Sequence, residues 1–160
     1  MDWTAVLRWF HILAGAAWFG ELAVVNFVLV PALNSLGAEE RAGFARAAFP
    51  RVFTLASWLS AIAVVTGFVL LGERLDWVNW DLLLEGRWGR SVLVGASLGF
   101  GLTLFHHIVE RRLSPSLEGV GNPGNPGFVY FERRLRLIPR VAILVLLVVM
   151  GTMMYAARGV

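Results

Sequence analysis

Four apolar runs, at about Ala5–Leu33, Val52–Leu71, Ser91–Val109 and Leu137–Ala157, fix what this chain can become. Each is about as long as the roughly 20 residues a helix needs to cross a hydrocarbon core of about 30 Å. No water reaches the backbone inside such a core, so a spanning segment must satisfy its own amides and carbonyls, as an α-helix does. The expected fold is therefore all-α: an integral membrane, antiparallel four-helix bundle forming one domain over residues 1–160. Composition agrees, with 58% hydrophobic and only 16% charged residues, far from the soluble norm. The absence of Cys excludes disulfides, thiolate metal sites and covalent c-type haem attachment.

The charges set an orientation. All 14 cationic side chains are Arg. The connections Gly37–Arg51 and Glu110–Arg140 hold nine of them, whereas the other side holds five (Arg8, Arg74, Arg87, Arg90, Arg158), offset by Asp2, Glu73, Asp76, Asp81 and Glu85. The positive-inside rule then places both termini on the non-cytoplasmic side, and Trp3, Trp9, Trp77, Trp80 and Trp88 fall near the outer boundary as an aromatic belt. Arg at the ends of apolar runs, rather than on a soluble face, marks topology and contact with lipid headgroups of the bilayer, not a nucleic-acid surface. Met1-Asp2-Trp3 lacks a basic n-region and reads as an uncleaved first span. The outer connection at residues 72–90 alternates acids, Trp and Leu and should lie partly in the interface. The inner stretch SPSLEGVGNPGNPGF, residues 114–128, reads as turns and a flexible loop. Pro50 suits a helix start, and Gly95 with Gly99 would let another helix approach closely.

Several polar side chains sit inside the spans. At about 100° per residue His11, Gly15, Trp18, Leu22, Val25 and Leu29 form one stripe of the first helix. A His with Gly one turn on suits a flat porphyrin, the imidazole binding iron and the Gly clearing the ring. On the third run His106 shares a face with Gly95, Gly99 and Leu102, while His107 points about 100° away. His11, His106 and His107 are thus candidate ligands of haem iron, a structural hydrogen bond or an interfacial position being the competing explanations. Counted from the helix ends, His11 and His106 lie at different depths, so they belong to separate outer and inner sites. Met150, Met153 and Met154 stand roughly level with His11, either as an axial partner or as filling for an apolar bundle. Arg111, Arg112, Arg136 and Arg140 could hold haem propionates or lipid phosphates. Glu21, a carboxylate deep in the membrane without an Arg to pair with, reads as a proton carrier or cation ligand, with Thr66, Ser57 or Ser60 as expected partners. Asn26 should hydrogen-bond between helices.

The opening HILAGAAWFGEL resembles the first span of the CopD and HemJ groups of bacterial membrane proteins. LFHHIVERRL and FVYFERRLRLIPRVAILVLLVV resemble HemJ, the oxygen-dependent or quinone-linked type of protoporphyrinogen oxidase. The resemblance implies a four-helix bundle in a bacterial or archaeal inner membrane that binds b-type haem, with His11 matching the family's first-span histidine and a quinone as possible electron partner. HemJ members carry an Arg later in the first span and a Lys at the start of the third. Here ELAVVNFVLVPAL has no Arg, and Arg90 stands near the Lys position. The likeness to CopD implies a role in copper uptake. Three functions follow: a haem b redox protein carrying electrons, such as a HemJ-like porphyrinogen oxidase; a copper or proton transporter built on Glu21, His11 and the Met cluster; or a non-catalytic subunit of a homo-oligomer or larger membrane redox complex.

Overall fold

A computed structural model describes residues 2–118 and 126–158, with side chains 114–118 excepted. Among the described residues the chain is helical throughout, without strands. Helix α1, Trp3–Val24, passes through one π-helical turn, Val25–Leu29, into the short α2, Val30–Ser35. Long helices follow as α3, Ala38–Arg74, α4, Gly86–Glu118, and α5, Pro126–Ala157, with a short 3-10 helix at Trp80–Leu83. Four stretches are long and apolar enough to cross a membrane: Trp3–Ser35, Ala38–Arg74, Gly86–Leu113 and Pro126–Ala157. Trp58, Val65, Phe27 and Phe100 all point outward at more than 60% exposure. Apolar surface of that extent suits contact with lipid rather than water.

The helices outrun the apolar runs that announce them. At about 1.5 Å per residue, the 37 residues of α3 reach about 55 Å, well beyond a hydrocarbon core of about 30 Å. The connection expected at Gly37–Arg51 is therefore mostly helix. It starts at Ala38 because the Glu40 carboxylate accepts the Gly37 amide at 3.2 Å, satisfying one of the orphan donors of a first turn. Pro50, expected at a helix start, lies inside α3 with its ring exposed. Beside it the Arg51 guanidinium donates to the Ala47 carbonyl of the preceding turn. The helices likewise extend into the loop expected at residues 114–128, of which residues 119–125 lie outside the described residues.

The π turn rephases the first span. Buried positions run Leu7, Ala14, Trp18, Leu22 and Val25, then step by five to Val30 and on to Leu33. Leu29, expected on the stripe, is half-buried beside it. Asn26 occupies the turn: its amide donates to Leu22 O at 2.8 Å and, across the bundle, to Pro139 O at 2.9 Å. One side chain thus fills the irregular ladder of its own helix and ties it to α5.

Three apolar layers form the core. Phe49 and Phe131, both fully buried, meet edge-to-face at 5.3 Å at the Arg-rich end. Trp18, Leu22, Leu102 and Leu146 fill the middle, and Leu75, Leu83, Val92 and Ala156 the far end. At that far end Trp77 N donates to Gly72 O at 2.9 Å, and the indole lies on Gly72, where a Cβ would stand 2.5 Å from the ring. Asp76 and Trp77 take φ of 50° and 57° to close this turn, a left-handed conformation uncommon outside Gly and Asn. Gly95 serves packing: a Cβ there would stand 2.6 Å from Met153 Cε, whereas one on Gly99 would make ordinary contact, 3.8 Å from Val149. Of the expected pair, Gly95 is the one that lets α5 lie close on α4.

Candidate functional site

Helix α3 is the strip against which two polar sites are built. At the upper one the His11 ring lies on Gly67, where a Cβ would stand only 2.7 Å from Cε1. His11 Nδ1 is 2.8 Å from Ala63 O. A carbonyl only accepts, so its partner assigns the proton to Nδ1 and leaves the Nε2 lone pair free. Thr66 Oγ1, itself donating to Ile62 O at 2.6 Å, stands 3.4 Å from the same nitrogen. Gly15, one turn along α1, has nothing within 4 Å of where a Cβ would be. Gly67 carried no signal in the sequence, because a glycine's use as the seat of a ring depends on which helix faces it.

The second site lies ten residues back along α3, about 15 Å by helix rise. There His106 Nε2 is 3.3 Å from Phe53 O and 3.2 Å from Ser57 Oγ. Ser57 in turn donates to Glu110 Oε2 at 2.6 Å. With its own proton so directed, the hydroxyl accepts from His106, and both neighbours make Nε2 the protonated nitrogen. His106 Nε2 is also 4.0 Å from Glu110 Oε2, one turn along the same helix. Ser57 was expected to answer Glu21 but instead joins His106 to Glu110. The i, i+4 spacing of His106 and Glu110 was the available sign of this group.

Beside His106 lies a cavity of about 50 Å³ between the helices. All four spanning stretches line it, chiefly with apolar side chains such as Trp18, Leu102, Phe53 and Ala142, and among the described residues its titratable lining groups are His106 and Glu21. Glu21 Oε2 is buried and has no hydrogen-bond partner among the described residues. The hydroxyls expected to satisfy it are turned elsewhere: Ser57 to Glu110, Ser60 to Ser57 O, and Thr66 to Ile62 O.

The remaining candidates do not converge on either histidine. His107 Nδ1 bonds Thr103 O of its own helix at 2.9 Å, and its ring meets that of His106 edge-on at 5.8 Å. Met153 packs on Gly95 of α4, Met150 is half-buried, and Met154 is exposed. Arg111, Arg112, Arg136 and Arg140 are all exposed, as suits residues meeting headgroups. Among the described residues no group of three His, Asp or Glu side chains is placed to hold a metal ion.

As a test of haem, the donor set would fit one imidazole ligand to the iron, from His11, whose Nδ1–H is held by a backbone carbonyl as metal-ligating histidines usually are. Among the described residues no second ligand stands out at that level. His106 cannot ligate through Nε2 while that nitrogen donates, and Met153 is seated on α4.

These features define a multi-pass helical membrane protein with an oriented histidine on one level and a carboxyl–imidazole cavity on another. No protein family, characterised protein or solved structure matches the chain.

Proposed function

We propose that this chain is an antiparallel four-helix inner-membrane protein, both termini non-cytoplasmic, that binds b-type haem through His11 and carries electrons. The observation carrying this reading is the His11 Nδ1–Ala63 O bond, which fixes the tautomer and leaves Nε2 available. The antiparallel arrangement is supported by pairings that run in opposite senses: His11 meets Ala63 near the far end of α3, whereas Leu33 packs with Ala42 and Ala45 near its start. Haem, when bound, supplies a one-electron couple tuned by its axial ligand and its burial. The chain's part is to orient the imidazole by Ala63 and Gly67 and to keep its surroundings apolar. A quinone or a partner subunit reaching the bundle through lipid would complete electron transfer, and a porphyrinogen is a candidate substrate by resemblance.

A reduced-minus-oxidised spectrum of protein expressed with ample haem tests this. A b-type α band is expected, lost or shifted in His11→Ala and retained in His106→Ala. No band in the wild type, or a band unchanged in His11→Ala, overturns the assignment.

A further inference from the structure

The central cavity belongs to none of the chemistry assigned to His11, and it has an outlet. From Glu21 the lining leads to His106, then to Ser57 Oγ at 3.2 Å, then to Glu110 Oε2 at 2.6 Å. Glu110 retains 27% side-chain exposure and adjoins the exposed Arg111 and Arg112. The groups therefore form a line from the Arg-rich end of the bundle to its middle, each able to give and accept a proton. A cavity of about 50 Å³ has room for a few waters, since one needs about 10–15 Å³ and two or more polar partners. Glu21 Oε2 and His106 are two such partners. Two donors fall well short of the six or so oxygens a hard cation takes, so the site suits water and a proton better than a metal ion.

The geometry points to an internal proton-loading site: Glu21 exchanges its proton with the Arg-rich side through cavity water, His106, Ser57 and Glu110. In the outward step the Glu21 acid gives a proton to cavity water, which passes one to His106 Nδ1. His106 gives its Nε2 proton to Ser57 Oγ, and Ser57 gives its own proton to Glu110 Oε2. One proton leaves Glu21, one arrives on Glu110, and His106 ends as the other neutral tautomer. Loading is the reverse. Charged and titratable groups around the path are few: Glu21 from α1, no ionisable lining residue from α3 or α5, and His106, His107 and Glu110 from α4.

Infrared spectroscopy of the full chain in lipid vesicles, moved from H2O to D2O, tests the path. A protonated-carboxyl band missing in Glu21→Gln assigns the Glu21 signal, and its shift with time gives the exchange rate. Ser57→Ala and Glu110→Gln should each slow that exchange by about a hundredfold, the lower range of what a positioned proton-transfer group contributes. Ser57→Thr, which keeps the hydroxyl, should retain the wild-type rate, and so should Ser60→Ala, whose hydroxyl bonds Ser57 O outside the path. Absence of a Glu21-dependent band, or exchange as fast in both slow variants as in wild type, overturns the proposal. Because the band is read without haem, that result leaves the His11 assignment standing, and loss of the haem spectrum leaves the proton path standing.

Discussion

Gly67 decides how His11 sits. With 2.7 Å between the His11 ring and the position of an added Cβ, Gly67→Ala must push the imidazole off α3 and break its bond to Ala63. Overpacking of this kind costs about 1–3 kcal/mol. Gly67→Ala is expected to lower the melting temperature in detergent and to move the ¹⁵N resonances of the His11 ring away from a pure Nδ1–H tautomer. Unchanged resonances would remove Gly67 from the site. At this scale the sequence shows which residues are chemically able and not which neighbours they meet. The face of the helix carrying His11 follows from its 100° phase. Ala63 and Gly67 do not, because they are set by the register of α3 against α1. The same gap explains Ser57, expected beside Glu21 and found between His106 and Glu110.

Among the elements, the first span shows how one irregular turn redistributes a face. A regular helix would bury Leu29, whereas the π turn carries burial to Val30 and Leu33. Asn26 holds that turn and reaches Pro139 in α5. Interhelical hydrogen bonds in membranes average about 0.6 kcal/mol, with values up to about 1.7. Asn26→Leu is expected to destabilise the bundle within that range, read as a lower unfolding midpoint in detergent, and by more than the exposed Thr54→Val, whose hydroxyl bonds only its own helix. Equal effects of the two would show that the link to α5 adds nothing. The apolar runs identified four helices correctly but not their ends. Beyond the hydrocarbon core a helix needs no continuous hydropathy, only caps and a partner face, and the Glu40–Gly37 contact supplies a cap without lengthening the apolar run. Pro50 misled for a related reason: with its ring outward, α3 continues through it.

Taken whole, the molecule has a buried layer of its own at the Arg-rich end. Phe49, Phe53, Phe128 and Phe131 fill it, and the Arg41 guanidinium bridges α3 to α5 by a 3.0 Å contact with Glu132 while also donating to Leu36 O at 2.9 Å. Class and span number were readable from hydropathy alone. The cavity was not, because it is made by the meeting of four helices, each contributing side chains that look ordinary in isolation.

Glu21 stands about midway along Trp3–Ser35, and its depth has an electrical consequence. A proton travelling between it and Glu110 crosses part of the membrane field. A full crossing is worth about 2.3 kcal/mol per charge per 100 mV, so half of one is worth about 1 kcal/mol, a roughly sixfold change in occupancy. In vesicles carrying an imposed potassium diffusion potential, making the Arg-rich side negative should deplete the Glu21 carboxyl band, and reversing the potential should restore it. A buried acid that exchanges with the Arg-rich side is thus a voltmeter as well as a store.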